Sequence, residues 1–158
     1  MARRTAGSRP SRRSPAARRF SVDASVFVNA INPHEQGHAA SLQALTRIHE
    51  RGDPIIVPAL LLTEVASALG RATGETTAAL DYVEAIAALP NVSLVTITTA
   101  VARQAASLAA THRLRGADAV YVAVALRYGA VLVTRDGEQR TRGAAAVTCQ
   151  SPEQVVRD

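Results

Sequence analysis

From Phe20 onward the chain alternates short apolar runs rich in Val and Ile with longer amphipathic segments, and this alternation leaves few folds open. Strands covered on both faces read as unbroken apolar runs, and a longer helical segment after each one lets the next strand lie parallel to it. The pattern predicts an α/β domain with a central, mainly parallel sheet of four to five strands flanked by helices. The candidate strands fall at residues 20–24, 55–57, 93–97, 131–134 and 146–149. The candidate helices fall at 36–51, 59–71, 75–89, 99–113, 117–128 and 137–142. Pro58 suits the first turn of the second helix, where a missing N–H costs nothing, and Gly70 and Gly74 flank its end. Gly129 stands where the fifth helix wants a left-handed cap, and the stretch from Ser151 to Gln154 has the form of a capping box before a last short turn.

Composition narrows the chemistry. A chain of 158 residues with 47% hydrophobic content can bury one continuous core, so one domain is expected over residues 20–158. The formal charge of +5 comes from the N-terminus: residues 1–19 hold seven Arg and no acid. The remaining eleven Arg face thirteen Asp and Glu, leaving −2. The Arg-rich start is expected to be disordered. It reads as a polyanion-seeking tail, as an Arg-rich targeting peptide, or as translated sequence upstream of the natural start.

No Lys occurs anywhere, which excludes a P-loop and any Schiff-base chemistry. Cys149 stands alone and no Cys/His spacing matches a zinc site, so the chain reads as cytoplasmic. Apolar runs fall short of the roughly 20 residues needed to span a membrane. Phe20, Phe27, Tyr82, Tyr121 and Tyr128 are the whole aromatic complement, too few for recognition of RNA by base stacking. His34, His38, His49 and His112 sit in polar faces or turns.

Four acids stand in apolar surroundings, where an ionised carboxylate costs several kcal/mol unless compensated. Asp23 and Asp136 follow the first and fourth strands, at the sheet edge where open α/β folds bind ligands. Glu64 shares a helical face with Leu60 and Ala68, a face expected to be core. Asp118 opens the most apolar helix. Taken singly, Asp118 has an ordinary reading as a first-turn acid and Asp136-Gly137 as a turn pair. Together, four carboxylates with no Lys nearby repel one another, and a divalent cation removes that cost. An all-oxygen set without His suits Mg²⁺ or Mn²⁺ better than zinc.

The order Val-Asp-Ala-Ser, Thr-Glu-Val-Ala-Ser-Ala-Leu, Ala-Asp-Ala-Val-Tyr-Val-Ala-Val-Ala and Leu-Val-Thr-Arg-Asp resembles a PIN domain, most of all the VapC-type toxins. The resemblance runs over about residues 20–156. It implies a Mg²⁺- or Mn²⁺-dependent endoribonuclease, with Asp23, Glu64, Asp118 and Asp136 as catalytic metal ligands. Ser25 and Thr134 match hydroxyls that fix carboxylate orientation. Glu138 stands near the place of a further family Asp, and is an outer ligand or a solvent-facing acid. Arg113, Arg115 and Arg135 lie closest in sequence to the acids, as RNA phosphate contacts or ordinary surface cations. The resemblance further implies a small antitoxin partner and a homodimer, with the helices at 59–71 and 75–89 as plausible surfaces or plain core. Other readings are a PIN-like nuclease of RNA maturation, an inactive PIN-fold binding module, and a receiver domain, whose required Lys is missing.

Overall fold

A computed structural model of the protein describes residues 17–158. Among these residues five strands form a parallel sheet: β1 (Phe20–Val22), β2 (Ile55–Pro58), β3 (Val92–Val95), β4 (Val131–Val133) and β5 (Cys149–Gln150). Their order is β3-β2-β1-β4-β5, so the chain winds outward from β1 in one direction and, after β3, returns to β1 and continues in the other. The reversal lies between β1 and β4, and the crevice beyond the C-terminal ends of those strands is the expected ligand site of such a sheet. Phe20 is paired with Val131 and Val22 with Val133, so both strands end level.

Among the described residues eight helices surround the sheet: α1 (Ala24–Asn29), α2 (His38–Glu50), α3 (Leu60–Thr73), α4 (Thr76–Ala87), α5 (Thr99–His112), α6 (Gly116–Tyr128), α7 (Gly137–Gly143) and α8 (Pro152–Arg157). Helix α6 packs on β1, β2 and β4 beneath α5. Its run Tyr121–Ala125 is wholly buried, which accounts for its unbroken apolar sequence. The core joins it to Phe20, Val22, Ile55, Val57 and Leu132 of the sheet and to Leu61 and Val65 of α3. Among the described residues no helix is long and apolar enough to cross a membrane.

Three expectations from sequence change. Residue 24 leaves the first strand: β1 stops at Val22, and Asp23 caps a helix, α1, that its β-branched sequence had concealed. Pro58 closes β2 instead of opening α3, because the ladder needs no N–H from it and resumes with Ala59 N–H donating to the Val95 carbonyl at 2.9 Å. The face of α3 that carries Glu64 is half-buried; the core stripe is Leu61, Val65 and Leu69. Gly129 does cap α6 at φ 60°, and Ser151 and Gln154 do form the capping box of α8. The expected disordered tail falls outside the described residues over 1–16. Its last members touch the domain: Arg18 donates to Asp158 at 3.1 Å and Gln150 at 3.2 Å, and lies over the Phe20 ring.

Candidate metal centre

Asp23 leaves the end of β1 in extended conformation, and its backbone N–H donates to the Val133 carbonyl of β4 at 2.9 Å. Two strands thus hold the residue before its side chain does anything. The side chain turns back to cap α1, Oδ2 accepting from Ser25 N–H at 2.9 Å. It is 8% exposed, and burial raises its carboxyl above the ordinary carboxylate range; hydrogen bonding from Ser25 and the nearby Gln139 amide oppose that, and Asp136 adds to it.

Asp136 stands two residues beyond Thr134, at the end of β4, and caps α7. Its Oδ1 accepts from Glu138 N–H at 2.8 Å and Gln139 N–H at 3.0 Å. Its own N–H donates to the Thr134 hydroxyl at 3.0 Å, and the Ser25 hydroxyl accepts from Arg135 N–H at 3.3 Å. Ser25 and Thr134 therefore brace the turn on which Asp136 rides, one from each side of the switch point.

Glu64 and Asp118 arrive from helices. The Tyr121 hydroxyl, on α6, donates to Glu64 Oε2 at 2.7 Å. Burial raises the Glu64 carboxyl, and Asp23 and Asp118 raise it further against the pull of that hydroxyl. Asp118, in the first turn of α6, is raised to about 6 by burial first, then by Asp23 and Asp136, with Arg115 offsetting part of the shift. The four acids named from sequence are thus brought close together: Asp136 raises Asp23 and Asp118, and Asp23 raises Glu64 and Asp118. They do not stand as a finished ligand set: among the described residues no three His, Cys, Asp or Glu side chains are placed to hold a metal ion. Hydrogen bonds account for part of this, since Tyr121 holds one Glu64 oxygen and Arg115 Nη1 lies 3.3 Å from Asp136 Oδ2.

The peripheral residues divide. Glu138 is paired with Arg115 at 3.1 Å and Arg142 at 2.6 Å at the rim. Arg115 bridges Asp136 and Glu138 with its side chain 67% exposed, a cation at the rim of the acids. Arg113 caps α5 at φ 55°, and its carbonyl accepts from Arg142. Arg135 turns away: its guanidinium donates to the Gln36 carbonyl at 2.8 Å, the Gly37 carbonyl at 3.5 Å and the Ser41 hydroxyl at 3.4 Å, and pairs with Glu153 at 3.6 Å.

Two residues near the acids escaped the sequence reading. Tyr121 is the single polar side chain in the buried run of α6, and a buried phenol needs an acceptor, so an acid facing that helix could have been inferred. Gln139, in the first turn of α7, is 1% exposed beside Asp23, and spacing from Asp136 alone offered no signal for it.

A family model of the PIN domain matches residues 21–144. No curated protein matches the chain by sequence. Solved structures do share the fold. VapC20 of Mycobacterium tuberculosis, a sarcin-ricin-loop-cleaving toxin, is 22% identical at a TM-score of 0.65, covering 79% of this chain and 95% of that one. A VapBC2 structure from Rickettsia felis, bound to a DNA fragment from the promoter, is 13% identical at 0.65, with 84% and 98% covered. A toxin-antitoxin complex from Klebsiella pneumoniae is 18% identical at 0.61, with 85% and 97% covered.

Proposed function

The chain belongs to the PIN-domain family, and from that premise we propose that it is a Mg²⁺- or Mn²⁺-dependent endoribonuclease, the toxin of a type II toxin-antitoxin pair. The observation that carries the reading is electrostatic. Asp23, Glu64 and Asp118 are held above the ordinary carboxylate range by burial and by neighbouring carboxylates, Asp136 among them, at the switch-point crevice of the sheet. Such a gathering is costly in itself and cheap around a cation. The donors are all oxygens, which fits Mg²⁺ or Mn²⁺, and a buried amide without a partner at Gln139 lies beside them.

In this reading Asp23 and Asp136 are direct ligands, Asp118 is a further ligand, and Glu64 is a ligand or the base that orients water. When bound, the cation supplies an acidified water for in-line attack on a phosphodiester and offsets charge on the phosphoryl oxygens. The chain supplies orientation. Ser25 N–H fixes Asp23 Oδ2, and the α7 N–H groups fix Asp136 Oδ1 and leave Oδ2 to the site once Arg115 lets go. Tyr121 holds Glu64 by Oε2. Arg115, so released, is the residue placed to meet an RNA phosphate. Glu138 serves as an outer ligand only by giving up its two Arg partners. The expected products are a 3′-hydroxyl and a 5′-phosphate, by resemblance to the family.

The solved relatives support an RNA substrate, through the sarcin-ricin-loop-cleaving VapC20, and an antitoxin partner, through the Klebsiella complex. A homodimer belongs to the same proposal. The test is Asp23→Asn in protein stripped with EDTA and titrated back with Mn²⁺. Wild type should bind Mn²⁺ by calorimetry and cleave RNA, and the variant should lose both without melting lower. Equal cleavage by the two proteins would end the proposal.

A further inference from the structure

Helix α7 buries two residues, Gln139 and Gly143, one turn apart on the same face. Gly143 looks into apolar surroundings: a Cβ there would meet Cys149 Sγ at 3.2 Å and a Val122 methyl at 3.3 Å, with Leu132 at 3.9 Å. Helical periodicity therefore calls for an apolar residue at 139, and the chain has an amide. Three buried side-chain polar atoms lack a hydrogen-bond partner among the described residues, and two of them are Oε1 and Nε2 of Gln139. An unpartnered buried polar atom costs about 1–3 kcal/mol, so retaining a whole amide needs a reason.

The amide lies beside the Asp23 carboxylate, close enough to favour its charge without reaching hydrogen-bonding geometry. Its backbone N–H is already given to Asp136. Ionised carboxylates offer acceptors alone, which suits the amide N–H groups and leaves the carbonyl oxygen in want of a donor. A cation arriving with part of its water shell brings such donors, because Mg²⁺ sheds its waters reluctantly. Resting on the metal-dependent reading above, we propose that Gln139 is a positioning residue of the acidic centre. Its N–H steadies the Asp23 carboxylate for the cation, and its carbonyl oxygen accepts from a water that the cation retains.

The experiment separates this role from a mere orphan in the core, using full-length protein. Gln139→Met keeps the shape and removes both polar atoms, while Gln139→Glu keeps an acceptor. In EDTA, Gln139→Met should melt at or above wild type, since no partner is lost; in calorimetry with Mn²⁺ alone its Kd should rise about tenfold or more. Gln139→Glu should bind Mn²⁺ at least as tightly as wild type. A Met variant that binds Mn²⁺ within about twofold of wild type overturns the proposal by this standard for outer-shell partners. So does a Met variant that fails to fold or melts well below wild type in EDTA, because the amide would then already be partnered. If wild type itself binds no Mn²⁺, the ribonuclease reading falls and this inference falls with it. Binding by wild type with no loss in Gln139→Met sinks this inference alone.

Discussion

Replacing Asp118 by Asn should stabilise the metal-free protein at neutral pH and do nothing at pH 4. The carboxyl rises from 3.8 to about 6 on folding, through burial first, then Asp23 and Asp136, then Glu138, with Arg115 acting the other way. A folded pKa above the unfolded one means that the native state binds the proton more tightly, so ionisation weighs against folding. Below about pH 4 both states are protonated and the penalty is absent; it grows from there to about 6 and is complete above. At 1.36 kcal/mol per unit the full shift corresponds to roughly 3 kcal/mol. Asp118 is only half-buried, and solvent screening reduces this to about 1–1.5 kcal/mol. For a chain of this size that is a rise in Tm of about 3–5 °C. Circular dichroism melts of wild type and Asp118→Asn in EDTA, from pH 4 to 7.5, measure it. A gain that is the same at every pH would refute the reasoning, as would a loss at pH 7.5. Adding Mn²⁺ at pH 7.5 should then raise wild type above the variant, since a ligand of the native state stabilises it by mass action.

Arg115→Gln should tighten Mn²⁺ binding, because a competing positive charge leaves Asp136 and Glu138, and should cost under about 1 kcal/mol of stability at so exposed a pair. The same change should raise KM for RNA and flatten its salt dependence by about one phosphate contact. Arg135→Ala should instead lower stability by about 1–3 kcal/mol, since it abandons the carbonyls of Gln36 and Gly37. Its salt dependence of cleavage should match wild type, and a flattened slope with stability intact would return Arg135 to the phosphate contacts.

What was legible beforehand follows from the range of the interactions involved. Strand and helix periodicity are local, so the five strands and most helices could be placed to within a few residues, and a parallel sheet followed from their apolar runs. Helix α1 was hidden because Ala-Ser-Val-Phe-Val-Asn is six residues with β-branched content, and its existence depends on Asp23 capping it while bonded to β4. Pro58 was placed at a helix start on local grounds alone, and its pairing with Val95 puts it at the end of β2. Asp23 and Glu64 stood out because each conflicts with its local surroundings, whereas Asp118 and Asp136, ordinary as a first-turn acid and a turn pair, drew weight from their company and from the family order. Arg115 and Arg135 were not separable, since proximity in sequence says nothing about which way a long side chain turns, and one ended on acids and the other on backbone carbonyls. Gln139 looked like any polar residue in a short helix until its burial was known.

The four acids are held in two different ways, and the difference orders their roles. Asp23 and Asp136 are helix caps at strand ends, so backbone N–H groups take one oxygen of each and fix the carboxylate plane. Preorganised donors of this kind cost nothing when a charge arrives. Glu64 and Asp118 sit on helix flanks, where Glu64 has a phenol as its hydrogen-bond donor and Asp118 is left with a pKa near 6. In the proposed centre the phenol suits Glu64 to orienting water, and a pKa near 6 makes Asp118 a ligand whose commitment varies with pH. Cation affinity should therefore climb as pH rises through about 6, one proton leaving as the ion binds. In that proposal labour divides between rigid anchors at the strand ends and one titrating partner, Asp118, on a helix, with Arg115 as the positive charge at the rim.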